Sequence, residues 1–324
     1  MQPTDLARAI ADFADGATMH AVRRPSAPFV SVSDGSAGDG DSLIDALLPP
    51  AMAHRAEQIG VRKAAMAPMR TLALAVLAGA FIALGGAFAT TAAAGAGPTP
   101  WGLVRVVVGV VFSLGLILVL VGGAELFTGN NLIVMAWASG RIRTAALLRN
   151  WTIVFAGNAL GAIGTAALVY LGGVHRFGGG VWGSTAITIA SAKLGLGFVQ
   201  AVALGLLCNA LVCLAVWLTY SARTTTDRIL AIVPPISAFI AIGFEHSIAN
   251  LYFVPLGIFV AVFDPTFVAA RGLGGQADSL TWMGFVLRNL VPVTLGNMVG
   301  GSLLVGAVYW FVYLGPQPER DGSS

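Results

Sequence analysis

Two long uncharged segments, each interrupted by one glutamate, constrain this fold more than any other feature of the chain. Residues 106 to 140 and 229 to 263 are each 35 residues long, and their sole charged residues are Glu125 and Glu245. A continuous helix of that length would reach about 52 Å, whereas the hydrocarbon core of a bilayer is about 30 Å thick. Each segment is therefore predicted to bend, break or re-enter within a membrane.

Four further uncharged segments complete the pattern of membrane spans. They cover residues 71 to 104, 150 to 175, 194 to 222 and 289 to 318, and each exceeds the roughly 20 apolar residues that a spanning helix needs. Charged residues make up only 10 % of the 324-residue chain, against roughly 25 % in soluble domains. We predict an all-α membrane protein with six transmembrane helices, of which the second and fifth are broken.

The residues around the two glutamates indicate where the helices break. The chain reads G-G-A-E-L-F-T-G-N-N around Glu125 and I-G-F-E-H-S-I-A-N around Glu245, and each Glu stands five residues before an Asn, Asn130 and Asn250 respectively. Glycine, threonine and asparagine favour turns and caps over helix interiors. The matched spacing predicts that the two breaks are related.

A second pair of matched intervals follows in the next span of each half. Asn150 precedes Gly157-Asn158 by the same interval as Asn289 precedes Gly296-Asn297. Two such echoes favour an internal repeat of three spans per half over an unrelated pair of kinks. An odd number of spans inverts the second half, which is the 3+3 plan of many transport proteins, with sites at broken helices near the midplane.

The distribution of positive charge predicts the orientation. With a cytoplasmic amino terminus, thirteen Lys and Arg residues lie inside, against five outside, at residues 105, 176, 193, 271 and 288. This bias favours a multi-pass protein of the bacterial inner membrane with both termini cytoplasmic. The first 64 residues have no apolar core typical of a signal peptide.

Four regions are expected along the chain. Residues 1–42 form a disordered cytoplasmic extension, rich in Ser, Gly, Asp and Pro between positions 25 and 42. Residues 43–70 form an amphipathic cytoplasmic helix and linker, either a surface anchor or a gate. Residues 71–315 form the six-span channel domain, and residues 316–324 form a cytoplasmic tail.

Several functional classes are disfavoured by composition. A net charge of +3 is too small and scattered for a nucleic-acid partner, which calls for a basic patch. Cys208 and Cys213 lie in one apolar segment and are expected to be small buried residues rather than a metal site. No cofactor and no metal are predicted.

His246 is the ionisable residue that most suggests a transport pathway. Of the four histidines, it alone lies deep in a predicted span beside a helix break. Intramembrane ionisable groups are costly and mark pathways or proton relays by default. A packed core histidine is the alternative, and the matched breaks favour the functional interpretation.

Five motifs resemble the formate/nitrite transporter family, across residues 43 to 314. They read L-L-P-P-A-M-A-H-R-A-E-Q-I-G-V-R-K, E-L-F-T-G-N, L-C-N-A-L-V-C-L-A-V-W, G-F-E-H-S-I-A-N and N-L-V-P-V-T-L-G-N-M-V-G-G. The resemblance implies an aquaporin-like protomer of six spans, assembled as a homopentamer with one pore in each subunit. No enzyme activity and no catalytic residue are implied.

The resemblance also implies roles for individual residues. His246 takes the place of the central pore histidine, Thr128 and Asn209 match the polar residues that face it, and Lys193 matches the lysine of the outer vestibule. Two apolar constrictions are implied at Phe112, Leu116, Leu126, Phe127 and Phe239.

The implied substrate is a small monovalent weak-acid anion, with formate first. Its passage past His246 is expected to be pH-dependent and linked to protons. The G-N pair after Thr128 looks closer to nitrite channels, so nitrite is the alternative, followed by hydrosulfide. An aquaporin-like water or solute channel would more usually show paired N-P-A motifs, and a membrane enzyme would need Glu245 and His246 to converge on one atom, which adjacent helical residues do not do readily.

The two break glutamates are expected to be structural, together with Asn130 and Asn250. A fixed carboxylate lining the pore would repel anions. We expect Glu125 and Glu245 instead to accept hydrogen bonds from backbone N–H groups freed at each break.

Overall fold

The computed structural model describes residues 46–316, which form helices joined by turns and irregular segments, with no strand among them. The predicted extension 1–42 and the tail from residue 317 lie outside the described residues. The helices are α1 (Pro49–Ala65), α2 (Pro68–Ala93), α3 (Trp101–Gly122), α4 (Val134–Ala138), α5 (Thr144–Leu171), α6 (Val181–Leu194), α7 (Phe198–Ser221), α8 (Thr225–Ile242), α9 (Ser247–Phe263), α10 (Pro265–Ala270), α11 (Gly274–Ala277) and α12 (Trp282–Tyr313).

Six of these helices, α2, α3, α5, α7, α8 and α12, are long and apolar enough to span a membrane. The six-span prediction is thereby confirmed. Each 35-residue segment forms one spanning helix, α3 or α8, followed by a break and a second helical piece. That piece is a short 3₁₀ turn (Gly129–Ile133) leading into α4 in the first half, and α9 in the second.

Both breaks begin in the same way. Gly123 and Gly243 follow α3 and α8 with φ of 80° and 98°, a left-handed conformation that favours glycine and ends helices. The amides of Gly123 and Ala124 both donate to the Val119 carbonyl, at 3.0 and 2.8 Å. The amides after α8 donate to Phe239 in the same pattern. The two breaks, which have similar sequences, therefore also begin with the same helix-cap geometry.

Glycines bring the spans of each half into close contact. A Cβ added at Gly161 of α5 would lie 1.9 Å from the Val76 carbonyl oxygen of α2, and one at Gly300 of α12 would lie 2.0 Å from that of Leu206 in α7. Small residues let membrane helices approach until their backbones touch. The pairs α2–α5 and α7–α12 are therefore equivalent in the two halves.

Helix α1 packs against protein along its apolar side. Met52, Ala53 and Ala56 are buried in a cluster with residues of the first break and of α7. A Cβ at Gly60 would lie 3.0 Å from Ala136. The described part of the predicted amphipathic segment is therefore seated beside the first break, which brings Lys63 to that break.

Candidate substrate pathway

His246 and Thr128 form the centre of the candidate pathway. His246 ends the second break as the N-cap of α9 and is 3 % exposed. Its Nε2 lies 3.0 Å from Thr128 Oγ1, and its Nδ1 accepts a hydrogen bond from the Ala249 amide at 3.0 Å. Because Nδ1 is an acceptor, the neutral ring carries its proton on Nε2 and donates it to Thr128. The Thr128 hydroxyl is then free to donate onward.

A cavity of about 10 Å³, no larger than a water molecule, lies against His246. Its apolar walls include four of the five predicted constriction residues. These are Phe112, Leu116, Leu126 and Phe239. The rings of Phe112 and Phe239 meet edge-on, with centroids 5.8 Å apart, and Phe239 stacks on His246 at 5.9 Å. The structure thus gathers most of the predicted constriction around the histidine.

Phe127 lies elsewhere. Its ring packs edge-on against Trp151 and Phe155 of α5, with centroids 6.2 and 5.1 Å away. Residues 124–126 have no regular secondary structure, and a turn follows at residues 127 and 128. Leu126 lines the cavity whereas Phe127 packs against α5, so Phe127 is not among the residues that surround the centre.

Asn209 also has a different geometry from the one expected. Its amide nitrogen lies 3.2 Å from the Thr128 carbonyl oxygen, 2.8 Å from Asn131 Oδ1 and 2.7 Å from the Asn297 carbonyl oxygen. No described hydrogen bond joins Asn209 to His246. It therefore holds the backbone on which Thr128 is placed.

Two larger cavities flank the centre, each with a lysine in its wall. The Lys63 vestibule has a volume of about 230 Å³ and is also lined by Arg55, Arg228 and Leu116. The Lys193 vestibule has a volume of about 260 Å³ and contains Arg105. Leu116 and Leu126 line both the Lys63 vestibule and the central cavity. Cationic vestibules on either side of an apolar centre suit a small anion.

The two lysines pair with the two break glutamates at the same distance. Lys63 Nζ lies 2.9 Å from Glu125 Oε1, and Lys193 Nζ lies 2.9 Å from Glu245 Oε1. Sequence reasoning placed Lys193 at a vestibule but missed Lys63. The signal was present, because Lys63 lies inside the first family-like motif, before the first span.

Asparagine side chains occupy the second oxygen of each glutamate. Asn130 and Asn250 each donate to Oε2 of their glutamate at 2.7 Å. The donors to both carboxylates are therefore side-chain amides and ammonium groups, and the expectation of backbone N–H donors is wrong. The backbone groups at the two breaks bind other side chains.

The backbone groups freed at the breaks bind Asn158 and Asn297. Asn158 Nδ2 donates to the Glu125 carbonyl at 2.9 Å, and its Oδ1 accepts from the Phe127 amide at 2.8 Å. Asn297 repeats this with the Glu245 carbonyl and the Ser247 amide, at 3.0 and 2.9 Å. Unpaired backbone groups cost several kcal/mol in a membrane. The sequence indicated these two asparagines only through their matched spacing. By pairing the backbone groups, they stabilise the helix breaks.

Arg105 was not predicted as a site residue. Its Nε donates to the Ala241 carbonyl oxygen at 3.0 Å, and Nη2 donates to that of Ile240. These carbonyls belong to the last turn of α8, where the helix dipole is negative. Arg105 therefore neutralises a negative helix end that faces the Lys193 vestibule.

Among the described residues, no group of three or more His, Cys, Asp or Glu side chains could hold a metal ion. Cys208 and Cys213 are both buried and unpaired. Cys213 Sγ lies 3.3 Å from the Thr128 carbonyl oxygen. It packs behind the Thr128 backbone as a small buried side chain.

Comparison with protein families identifies the lineage of this pathway. The model of the formate/nitrite transporter family matches residues 50–311. The chain belongs to that family. The formate channel FocA of Escherichia coli K12 is 46 % identical over 276 residues, which are 85 % of this chain and 97 % of the relative. FocA of Haemophilus influenzae is 40 % identical, across 81 % and 93 % of the two chains.

Solved structures of the formate/nitrite transporter family share this fold. One, described as a pentameric formate channel with formate bound, has a TM-score of 0.73 and 43 % identity, and the match covers 76 % of this chain and 98 % of the other. A second, described as an FNT family ion channel, has a TM-score of 0.69 at 28 % identity, with 81 % and 98 % covered. The six apolar helices and the bacterial relatives make this a bacterial membrane protein.

Proposed function

We propose that this protein is a formate channel that assembles as a homopentamer, with one pathway in each subunit. Relatives at 46 % and 40 % identity are named formate channels, and a similar structure is described as pentameric with formate bound. The observation that carries the proposal is the His246–Thr128 pair, which lies between two lysine-lined vestibules.

The vestibules attract small anions, and the apolar centre selects among them by excluding their hydration shells. Each vestibule lysine is paired with a glutamate. The net positive charge that attracts a small anion therefore comes from Arg55 and Arg228 on one side and from Arg105 on the other. The central cavity of about 10 Å³ excludes a hydration shell, so an anion must give up most of its water to cross. Loss of hydration is costly unless donors replace it. The Thr128 hydroxyl, oriented by His246 Nε2–H, is the donor at that point.

Passage is linked to protons through the two nitrogens of His246. A second proton has to enter the ring at Nδ1, which accepts the Ala249 amide at 3.0 Å. Protonation therefore removes the N-cap bond of α9 while placing a positive charge at the narrowest point. At neutral pH the ring acts as an oriented donor. As the pH falls, proton-coupled passage of the neutral weak acid takes over.

Nitrite is the alternative substrate, suggested by the Gly129-Asn130 pair after Thr128. Asn130, however, donates to Glu125 and, at 2.9 Å, to Asn150, so its amide group is engaged in holding the break. The Gly129-Asn130 pair therefore gives no support to nitrite through a side-chain contact with the substrate. Hydrosulfide is a further outcome of the anion-uptake measurement. An aquaporin-like pathway would show instead as rapid water flux without anion flux.

Stopped-flow uptake into proteoliposomes tests the proposal. Formate, nitrite and hydrosulfide are compared with and without an imposed pH gradient, for the wild type and for His246→Phe. Selective formate flux whose gradient dependence disappears in His246→Phe is the expected result. Faster nitrite flux would reassign the substrate. Equal formate flux in both proteins between about pH 5 and pH 8 would remove His246 from the mechanism.

We further propose an inner-membrane location with both termini cytoplasmic. The thirteen-to-five bias of basic residues supports it. Residues 1–42 would then be a cytoplasmic extension, 43–70 a helix and linker on that side, 71–315 the channel domain and 316–324 a tail. Cysteine accessibility labelling at Ser42 and at Ser323 in intact cells tests this topology, because labelling of either residue from outside would contradict it.

A further inference from the structure

A basic groove outside the pathway lies between α1 and the start of α5. It has a volume of about 410 Å³. Its apolar walls come from Val61, Ala64 and Ala146, and its charged walls come from Arg141, Arg143 and Arg149. None of these residues lines either vestibule or the central cavity. The groove is therefore separate from the substrate pathway.

The arginines keep donors available in the groove. Arg149 donates to the Ala64 carbonyl at 2.7 Å, which fixes the wall toward α1. Arg141 lies 3.2 Å from Glu57 and its side chain is 57 % exposed. The carbonyl of Arg143 accepts from the Ala146 amide at the start of α5, but its side chain makes no hydrogen bond or ion pair with the described residues. Three arginines against one glutamate give the groove a net charge of about +2.

The position of the groove places it at a membrane surface. Arg143 immediately precedes α5, which is a candidate membrane span. Trp137 and Leu148 beside it are 43 % and 52 % exposed, and the Trp137 indole donates to Thr144 at 2.9 Å. An exposed tryptophan at the end of a span is typical of the interface between headgroups and acyl chains.

We propose that this groove binds the phosphodiester headgroup of an anionic phospholipid. Basic pockets beside the ends of spanning helices recognise such headgroups, and arginine forks match phosphate oxygens. A lipid fits better than a soluble phosphate because the walls between the arginines are apolar and Leu148 offers an exposed surface to an acyl chain. Arg143 binds the phosphate group, because its guanidinium has no competing partner among the described residues.

Lipid retention by the full-length protein tests the proposal. The wild type, Arg143→Gln and Arg70→Gln are purified from the same membranes, and bound phosphatidylglycerol and cardiolipin are counted by native mass spectrometry. Arg70 is a matched control because it is exposed, lies in the first turn of the spanning helix α2 and lies outside the groove. Arg143→Gln is expected to retain anionic lipid about fivefold more weakly, the effect of one arginine at a membrane surface.

A second measurement identifies the source of the phosphate group. Thermal stability in nanodiscs is expected to rise when phosphatidylcholine is partly replaced by phosphatidylglycerol, and to rise less in Arg143→Gln than in Arg70→Gln. Equal retention and equal stabilisation in the two variants would overturn the proposal. Stabilisation of the wild type by inorganic phosphate alone, lost in Arg143→Gln, would also overturn it, because the groove would then be a soluble-anion site.

Discussion

His246 Nε2 and Thr128 Oγ1 lie 3.0 Å apart, although 118 positions separate the two residues in the chain. Each residue belongs to one of the two helix breaks, so this contact joins the halves of the repeat at the centre of the pathway. The position that corresponds to His246 in the first half, one residue after Glu125, is Leu126. The two halves therefore repeat the backbone geometry of the break, but only the second half places an ionisable side chain at this position.

Thr128→Val is expected to lower formate flux at neutral pH about tenfold. The substitution keeps the side-chain shape but leaves the buried His246 N–H without its acceptor, a loss of about 1–3 kcal/mol. Stopped-flow uptake into proteoliposomes measures it. Thr128→Ser retains the hydroxyl and is the control. Normal flux in Thr128→Val would show that the hydroxyl has no part in passage.

Glu245→Gln is expected to reduce assembly more than selectivity. The buried carboxylate holds Lys193 and Asn250, and removing one partner of a buried pair costs about 3–5 kcal/mol. Size-exclusion chromatography measures the yield of the assembled protein. Replacing Lys193 by Gln in the same chain removes both charges and is expected to recover part of that yield. Normal yield with altered selectivity would contradict the structural role.

Gly161→Ala is expected to destabilise the protein by about 1–3 kcal/mol. The new Cβ would lie 1.9 Å from the Val76 carbonyl oxygen, so α2 and α5 have to separate. Gly164 lies on the same helix with nothing within 4 Å of an added Cβ, and Gly164→Ala is the matched control. Thermal unfolding in detergent compares them. Equal midpoints would mean that the helix contact is not tight in solution.

Arg105→Gln is expected to raise the half-saturating formate concentration about threefold and to leave the maximal flux nearly unchanged. The charge neutralises the carbonyl end of α8 beside the Lys193 vestibule, an effect worth about 0.3–1 kcal/mol. High salt should shrink the difference because it screens the charge. Arg105→Lys retains the charge and should retain most of the affinity. A salt-independent loss in both variants would instead point to helix positioning.

Asp264 is expected to make stability pH-dependent in acid. Hydrogen bonds from Arg176 and Thr266 lower the pKa of its carboxyl group in the folded protein. The ionised form therefore stabilises the fold at pH values above the unfolded pKa of about 3.9, and this contribution is lost as the pH falls below that value. Thermal unfolding between about pH 3 and pH 6 should show a steeper acid decline in the wild type than in Asp264→Asn. Parallel declines would exclude this carboxylate as the source.

Side-chain direction limited what the sequence predicted about the site. Leu126 and Phe127 were both expected in the constriction, yet only Leu126 lines the central cavity, while the Phe127 ring packs against Phe155 of α5. Asn209 was expected to face the histidine and instead holds the Thr128 backbone. Spacing along a chain predicts which residues come near a site but not which way each of them points.

Contacts between distant elements were the second limit. Lys63 lies on a helix before the first span, and its ion pair with Glu125 depends on how that helix packs. Arg105 reaches carbonyl groups at the end of α8, about 135 positions away. Local sequence does not show which distant group either side chain binds.

The sequence by itself determined that the chain has six membrane spans, that two uncharged segments break and that the halves repeat, because a bilayer fixes helix length and an uncharged segment that exceeds it has to break. Only the tertiary structure decided which polar group serves which break. Asparagines bind the freed backbone, lysines bind the glutamates, and His246 meets Thr128. These pairings depend on distances between elements far apart in the chain. In a membrane, each polar group has to find its partner within the protein because no water is there to hydrogen-bond with it.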